Sequence, residues 1–140
     1  MRKAGYQVDV YDGIATADLP NTIEDAEILV VQLQQVTEAL LDQMPSLKLI
    51  AREGIGLDSI SLQAASKRGI TVMNVPDYCL EEVALLHHPK AIVTNHIAWY
   101  SEQSEARLRN LTSNRIIDFL EGREIPNIVN KKALESMTIK

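Results

Sequence analysis

Short apolar runs alternate with amphipathic stretches from one end of the chain to the other. One run switches between apolar and polar residues, and the others are nearly continuous, as is typical of strands buried in a parallel sheet. These runs predict strands at Tyr6–Tyr11, Ala26–Gln32, Leu47–Ala51, Ile70–Val75 and, more weakly because it is short, Ala91–Thr94.

The stretches between these runs repeat apolar residues at helical spacing. They predict helices at Val36–Met44, Ser59–Arg68, Leu80–His88 and Ser101–Glu121, of which the last is the longest. Thr37 and Ser101 are suitable N-caps for the first and the last of these helices. Because strands alternate with helices, the chain is expected to form βαβ units and a mostly parallel sheet.

The predicted sheet also specifies a core. Its buried residues are expected to include Val8, Val10, Ile28, Val30, Leu47, Leu49, Ile50, Ile70 and Val72. The residues after Asn130 are polar and have only a short helical tendency, so residues 131–140 are expected to be a tail.

Composition narrows the class of protein. The chain has 140 residues, enough for one domain, and its 46% hydrophobic and 24% charged residues are ordinary for a soluble globular protein. A formal net charge of −5 argues against nucleic-acid binding, which needs a basic face. No apolar run approaches the ~20 residues of a membrane span, and no signal peptide is expected. A single cysteine, Cys79, suits a reducing cytoplasm, where we expect the protein.

The first candidate site is Arg52–Ser59, which follows a predicted strand and opens a predicted helix. Gly54 and Gly56 let the backbone turn sharply and present N–H groups to an anion. As a dinucleotide fingerprint the segment is incomplete, because Ser59 occupies the third glycine position, so NAD binding here is not expected. Two interpretations remain open: a small-anion site, and a plain turn with Asp58 as the helix N-cap.

His96 is the second candidate. It lies just beyond the C-terminal end of a predicted strand, where sites of α/β proteins are usually found. A histidine there can act as a general acid or base near neutral pH. On position alone, however, a histidine that only hydrogen-bonds within a loop is the favoured interpretation.

The remaining candidates are weaker. His87 and His88 have no matching cysteine or paired carboxylate, so no metal site is expected. Cys79 has no resolving partner and is interpreted as a small buried residue. Glu81 and Glu82 are interpreted as charges on a helix surface.

Taken together, these segments resemble the D-isomer-specific 2-hydroxyacid dehydrogenases. The ordered match runs from Leu47 through the glycine loop and the next strand to Ala84. Within it, Asn74–Ala84 (NVPDYCLEEVA) is similar to the subgroup near the C-terminal-binding-protein corepressors. Pro89–Glu102 resembles the segment that carries this family's catalytic histidine, and Glu121–Asn130 resembles the family's C-terminal ending.

The resemblance implies a fold and a set of site residues. The implied fold is a three-layer α/β domain with a flavodoxin-like parallel sheet. His96 corresponds to the catalytic histidine of the family. The implied binding residues for the carboxylate of a small 2-oxo or 2-hydroxy acid, which is held through main-chain N–H groups, are Arg52, Gly54, Ile55 and Gly56.

The resemblance is interrupted at about residues 84–85. In the family a complete NAD-binding domain stands there, and it carries the dinucleotide fingerprint, the arginine that binds the substrate carboxylate and the acid that orients the histidine. Here Ala84 is followed directly by Leu85. The expected layout is therefore a substrate-binding domain at residues 1–130 without its NAD-binding domain and without a cofactor. A natural gene remnant and an engineered excision both explain this junction.

The beginning of the chain departs from the family as well. Arg2–Tyr6 resembles the last turn of the family's first helix, so the first strand is expected to be absent or replaced. That strand lies inside the family's sheet, and its loss leaves unpaired N–H and C=O groups on its neighbours. We therefore expect the chain to form a homodimer.

Two functions from different classes follow. The first is a substrate-binding module that is catalytically silent on its own, because hydride transfer needs a cofactor held against the substrate carbon. The second is an enzyme fragment that still binds a 2-oxo acid weakly or acts as an oxidoreductase with an NAD-binding partner chain. The first is favoured, since His96 without an orienting carboxylate or an arginine clamp loses most of its positioning advantage.

Overall fold

The computed structural model describes residues 1–11, 19, 21–78 and 101–138. Three strands and four α-helices lie in these ranges: β1 Ile28–Val31, α1 Glu38–Asp42, β2 Leu49–Arg52, α2 Leu62–Lys67, β3 Thr71–Met73, α3 Glu102–Leu120 and α4 Lys131–Thr138. Short 3-10 helices lie at Arg2–Ala4, Asn21–Asp25 and Pro76–Tyr78. No helix within the described ranges is long and apolar enough to span a membrane.

The three strands form one parallel sheet in the order β1-β2-β3. Leu29 of β1 lies opposite Ile50 of β2, which in turn lies opposite Val72 of β3. A helix separates each strand from the next along the chain, as a parallel connection requires. The predicted α/β fold with a parallel sheet is therefore confirmed.

Helices cover both faces of this sheet. One face packs against α1 and α2, in a cluster that includes Leu40, Leu41, Ala64, Ala65, Val31, Ile50 and Val72. The opposite face packs against α3, in a cluster that includes Ile116, Phe119, Leu49, Ala51 and Met73. The arrangement has the three layers that the flavodoxin-like prediction describes.

Local capping signals predicted the starts of α1 and α3. The hydroxyl oxygen of Thr37 accepts a hydrogen bond from the backbone N–H of Leu40 at 3.3 Å, and α1 follows it. The hydroxyl oxygen of Ser101 accepts one from the backbone N–H of Ser104 at 3.1 Å, and α3 follows it. A capping oxygen satisfies an N–H group that has no partner inside the helix. Residues 131–140, which the sequence predicted to be a tail with a short helical tendency, include α4.

The outer edge of β3 is covered by residues near the C-terminal end of the described chain. Ile128 forms an antiparallel bridge with Met73, and the N–H of Val129 donates to the carbonyl of Val72 at 2.8 Å. The side chain of Asn130 then continues the pairing. Its Oδ1 accepts from the N–H of Val72 at 2.9 Å, and its Nδ2 donates to the carbonyl of Ile70 at 2.8 Å.

The strand predicted at Tyr6–Tyr11 is not formed. A strand needs a hydrogen-bonded neighbour, and within the described ranges none is paired with this segment. Instead, the guanidinium of Arg2 donates to the carbonyl of Val8 at 2.7 Å. As a result, Val8 is only partly buried and Val10 is 69% exposed, so the prediction that both belong to the core was wrong.

The rest of the predicted core divides into a confirmed and a corrected part. The confirmed residues are Leu47, Leu49, Ile50, Ile70 and Val72, all of which are buried. On β1 the outcome is divided: Ile28 is partly buried and packs against the core cluster beneath α3, whereas Val30 is 43% exposed, so its prediction was wrong. The cluster beneath α3 is built mainly on residues of β2 and β3, and Val30 is not a member of it.

Several predicted features lie outside the described residues. They are the helix at residues 80–88, the strand at residues 91–94, and the side chains of Cys79, Glu81, Glu82, His87, His88 and His96. The interpretations given for them stay predictions.

Candidate anion-binding site

The carboxyl ends of the three parallel strands meet at one edge of the sheet, where sites of α/β proteins are usually found. Three contacts join the segments that follow these strands. The N–H of Glu53 donates to the carbonyl of Val31 at 2.8 Å, and the side-chain amide of Gln32 donates to the carboxylate of Glu53 at 3.0 Å. The N–H of Val75 donates to the carbonyl of Gly54 at 3.0 Å. The candidate segment Arg52–Ser59 therefore lies at this edge.

Gly54 is required by the conformation of this loop. Its φ angle is +138°, a value that residues with a side chain rarely adopt. A Cβ atom at Gly54 would also lie 2.7 Å from Nη1 of Arg52. Gly56 differs on both counts, because its φ is not in the left-handed region and the nearest atom to a Cβ there is a carboxylate oxygen of Asp58 at 3.9 Å.

The guanidinium of Arg52 is folded back onto its own loop. Its Nε donates to the carbonyl of Gly56 at 2.9 Å, and its Nη1 donates to the carbonyl of Glu53. The side chain is only partly buried. This arrangement places a permanent positive charge within the glycine turn.

The carbonyls of Gly54 and Ile55 accept hydrogen bonds from the segment that follows β3. The N–H of Val75 donates to the carbonyl of Gly54 at 3.0 Å, and the side-chain amide of Asn74 donates to the carbonyl of Ile55 at 3.0 Å. The four carbonyl oxygens from residue 53 to residue 56 therefore all accept hydrogen bonds.

The backbone N–H groups of the glycines and of Ile55 in this loop, unlike the carbonyls, are not engaged by the described residues. Within the part of the chain that the structure describes, the N–H groups of Gly54, Ile55 and Gly56 have no hydrogen-bond acceptor. Successive backbone N–H groups in a tight turn form a partial positive charge that suits an anion. With Arg52 folded among the loop carbonyls, the loop can provide main-chain donors and a positive field to a small carboxylate.

Asp58 is not a helix N-cap, so that part of the turn interpretation was wrong. The helix α2 begins at Leu62 with Ser61 at the N-cap position. Val36 pairs with the residues before the helix: its N–H donates to the carbonyl of Ser59 at 2.7 Å, and its carbonyl accepts from the N–H of Ser61 at 2.9 Å. This parallel bridge delays the start of the helix.

A buried arginine that the sequence reasoning missed lies behind the loop. The side chain of Arg115, on α3, is only 8% exposed. Its Nη2 donates to both carboxylate oxygens of Asp77 at 2.8 Å, and its Nη1 donates to the carbonyl of Asn74 at 3.3 Å. The spacing offered a signal, since Arg115 follows Leu108 by seven residues and therefore lies on the apolar stripe of the helix.

Arg115 also changes the ionisation of its partner. Burial by itself raises the pKa of Asp77, but the hydrogen bonds and the charge of Arg115 outweigh it and hold that pKa below its ordinary value. A carboxyl group with a lowered pKa stabilises the folded state above its unfolded pKa of about 4. This stability is lost as the pH falls through the lower pKa of the folded state.

Replacing Asp77 by asparagine is therefore expected to destabilise the protein at about pH 6 and to destabilise it less near pH 3, below the unfolded pKa. The loss at pH 6 should be on the order of 1 kcal/mol, because the side chain is 46% exposed and solvent screens it. Urea unfolding at both pH values measures it, with Asp9→Asn as the exposed control. An equal loss at the two pH values would contradict the role of the charge.

The predicted site residues are thus brought together in part. Arg52, Gly54, Ile55 and Gly56 lie in one loop at the carboxyl edge of the sheet. His96 lies outside the described residues. Within the described ranges, no group of three or more histidine, cysteine or acidic side chains could hold a metal ion.

The family of the chain follows from a direct comparison. Residues 1–130 match the family model described as "D-isomer specific 2-hydroxyacid dehydrogenase, catalytic domain". The chain belongs to this family. The resemblance inferred from the loop and the strands around it is therefore confirmed at the level of the family.

Individual relatives match only part of the chain. The D-3-phosphoglycerate dehydrogenase of Methanocaldococcus jannaschii is 38% identical over 81 residues, which are 57% of this chain and 16% of that protein. The hydroxypyruvate reductase of Thermotoga maritima is 40% identical over 70 residues, which are 49% of this chain and 23% of that protein. The matched part of the chain therefore spans less than a quarter of the length of either relative.

A solved structure shows a similar partial match. The D-lactate dehydrogenase from Aquifex aeolicus, complexed with NAD and lactic acid, is 37% identical, with a TM-score of 0.44. The match covers 45% of this chain and 20% of that one.

Proposed function

We propose that this chain is a substrate-binding domain of a D-2-hydroxyacid dehydrogenase and that it binds a small 2-oxo or 2-hydroxy acid at residues 52–56. The observation that carries the proposal is the glycine loop, in which the carbonyls of residues 53 to 56 all accept hydrogen bonds while the N–H groups of Gly54, Ile55 and Gly56 have no acceptor within the described ranges. The names of the matched relatives, which refer to phosphoglycerate and hydroxypyruvate, support a small hydroxy or oxo acid as the ligand.

The main-chain donors define the affinity that we expect. A carboxylate held mainly by backbone N–H groups, without a second arginine to clamp it, should bind with a dissociation constant in the millimolar range, or roughly −4 kcal/mol. Arg52 contributes its charge from within the loop, since it donates two hydrogen bonds to loop carbonyls.

The described residues around the glycine loop do not fit NAD. A dinucleotide turn places the pyrophosphate on the N-terminus of a helix that follows the glycines directly. Here α2 begins only at Leu62, and a turn at residues 57–60 and the bridge to Val36 stand between Gly56 and the helix. This geometry supports the proposal that the chain holds no NAD of its own at this loop. We also propose that the family's NAD-binding domain is missing at about residues 84–85, where Ala84 is followed directly by Leu85.

On this proposal the chain alone is catalytically silent, and His96 is a remnant of the family's catalytic histidine without its partners. The second candidate function, an enzyme fragment that acts with an NAD-binding partner, is favoured by family membership. We also propose that the chain belongs to the subgroup near the C-terminal-binding-protein corepressors and that it is located in the cytoplasm. Nucleic acid and membrane are not proposed as partners.

The chain is expected to show no saturable enhancement of NADH fluorescence at micromolar nucleotide and no oxidation of NADH in the presence of pyruvate or glyoxylate. The physical reason is that hydride transfer requires a nicotinamide held against the substrate carbon. A dehydrogenase that is complete in one chain serves as the positive control for both assays. Saturable NADH binding, or turnover above the background rate, would instead support the enzyme-fragment function.

We further propose that the chain forms a homodimer. Within the described ranges, the edge of β1 that faces away from β2 has no paired strand, and six large apolar side chains are exposed, among them Val10, Val30 and Leu33. Light scattering at micromolar concentration should give about twice the chain mass of 15.6 kDa. A mass near that of the single chain would refute the dimer.

A further inference from the structure

Burying Arg115 costs more free energy than attaching α3 to the sheet requires. Removing a guanidinium and a carboxylate from water is costly, and well-packed apolar residues often stabilise a protein as well or better. Leu108 and Ile116 on the same helix already supply buried apolar contacts. The function of Arg115 is therefore to be sought in what it holds in place.

Arg115 holds the segment that closes the glycine loop. It contacts Asp77 through two hydrogen bonds and the carbonyl of Asn74 through a third. Between these positions, Val75 is fully buried, and its N–H donates to the carbonyl of Gly54. The side chain of Asn74 donates to the carbonyl of Ile55. A continuous chain of contacts thus leads from α3 to the loop.

The peptide bond transmits this constraint to the donors of the loop. The C=O of one residue and the N–H of the next lie in one rigid plane. Fixing the carbonyl of Gly54 therefore fixes the N–H of Ile55, and fixing the carbonyl of Ile55 fixes the N–H of Gly56. In the same way, the bond from Arg52 to the carbonyl of Glu53 fixes the N–H of Gly54.

We propose that Arg115 is a positioning residue for the anion loop: through Asn74 and Val75 it fixes the orientation of the N–H groups of Ile55 and Gly56. The anion itself rests on the proposed function, but the orientation of the loop can be measured without it. A preorganised set of donors binds an anion more tightly than a mobile one, because less conformational freedom is lost on binding.

The test compares Arg115→Met with Arg109→Met in the full chain. Arg109 is exposed on the same helix and, within the described residues, pairs with the partly buried Glu105, so its replacement controls for the loss of a charge. Amide hydrogen exchange is measured at Val75, whose N–H bonds to the loop, and at Ile50 in the centre of the sheet. The ratio of the two exchange rates separates local loosening from a general loss of stability.

Arg115→Met is expected to raise the exchange rate of Val75 relative to that of Ile50 about tenfold or more, and to weaken pyruvate binding at least about threefold. Arg109→Met should leave both unchanged. Arg115→Lys keeps the charge, but its single ammonium group cannot bond to Asp77 and Asn74 together as the guanidinium does. Its exchange ratio and its pyruvate affinity should therefore lie between those of the wild type and those of Arg115→Met. Arg115→Lys also serves as the test variant if Arg115→Met does not fold.

An unchanged ratio of Val75 to Ile50 exchange in Arg115→Met and Arg115→Lys would overturn the positioning role. If the wild-type chain fails to bind pyruvate, the proposed function fails, and the exchange ratio still decides the role of Arg115. If the ratio rises as much in Arg109→Met as in Arg115→Met, the effect comes from the helix charge in general, and the positioning role is likewise overturned.

Discussion

Replacing Asn130 by alanine is expected to lower the free energy of unfolding by about 2–4 kcal/mol. The buried side-chain amide of Asn130 accepts from the N–H of Val72 and donates to the carbonyl of Ile70 and the hydroxyl of Ser66. Alanine leaves the N–H and the carbonyl of the β3 edge buried without these partners. A buried backbone group without a hydrogen bond costs about 1–3 kcal/mol.

Urea unfolding of the full chain measures this loss. Asn110→Ala is the matched control, because Asn110 is exposed on α3 and alanine favours a helix. We expect that control to change the stability by less than about 0.5 kcal/mol. A loss for Asn130→Ala no larger than that of the control would contradict the view that the amide completes the edge of the sheet.

Replacing Gly54 by alanine is expected to lower the free energy of unfolding by about 1–3 kcal/mol. At a φ angle of +138° the added Cβ strains the backbone, and it also collides with the guanidinium of Arg52. The flexible arginine can move aside, so most of the cost is backbone strain. Its displacement would release the carbonyls of Glu53 and Gly56, and the resonances of the loop should shift accordingly.

Gly56→Ala is the matched control for this substitution. Its position has neither a φ in the left-handed region nor a close neighbour, so alanine should be tolerated within about 0.5 kcal/mol. Thermal or urea unfolding of the two variants side by side gives the comparison. Equal stability of Gly54→Ala and Gly56→Ala would show that the loop conformation is not the one described.

The sequence predicted best those features that depend on neighbouring residues. Thr37 and Ser101 cap α1 and α3 through backbone N–H groups three residues away, and this local chemistry is visible in the sequence. The glycine loop was also predicted, because Gly54 and Gly56 follow a clear strand. The start of α2 was placed too early, since the bridge from Val36 comes from a distant part of the chain.

Features that depend on distant partners could not be predicted in this way. The alternating pattern of Tyr6–Tyr11 is compatible with a strand, but a strand forms only where a neighbour pairs with it. The pairs of Arg115 with Asp77 and of Asn130 with Val72 join residues 38 and 58 positions apart. For Arg115 the helical spacing indicates burial, and Asn130 looks polar and ordinary, but in both cases only the fold shows the partner.

The most direct test of the proposed site is a titration of the isotopically labelled chain with pyruvate, followed by NMR at the backbone amides. Uncharged methyl pyruvate, at matched ionic strength, controls for effects that do not depend on the carboxylate. The account predicts that the amides of Gly54, Ile55 and Gly56 shift together and saturate in the millimolar range with pyruvate only. Amides that stay unchanged at high pyruvate concentration, or that respond equally to methyl pyruvate, would contradict it.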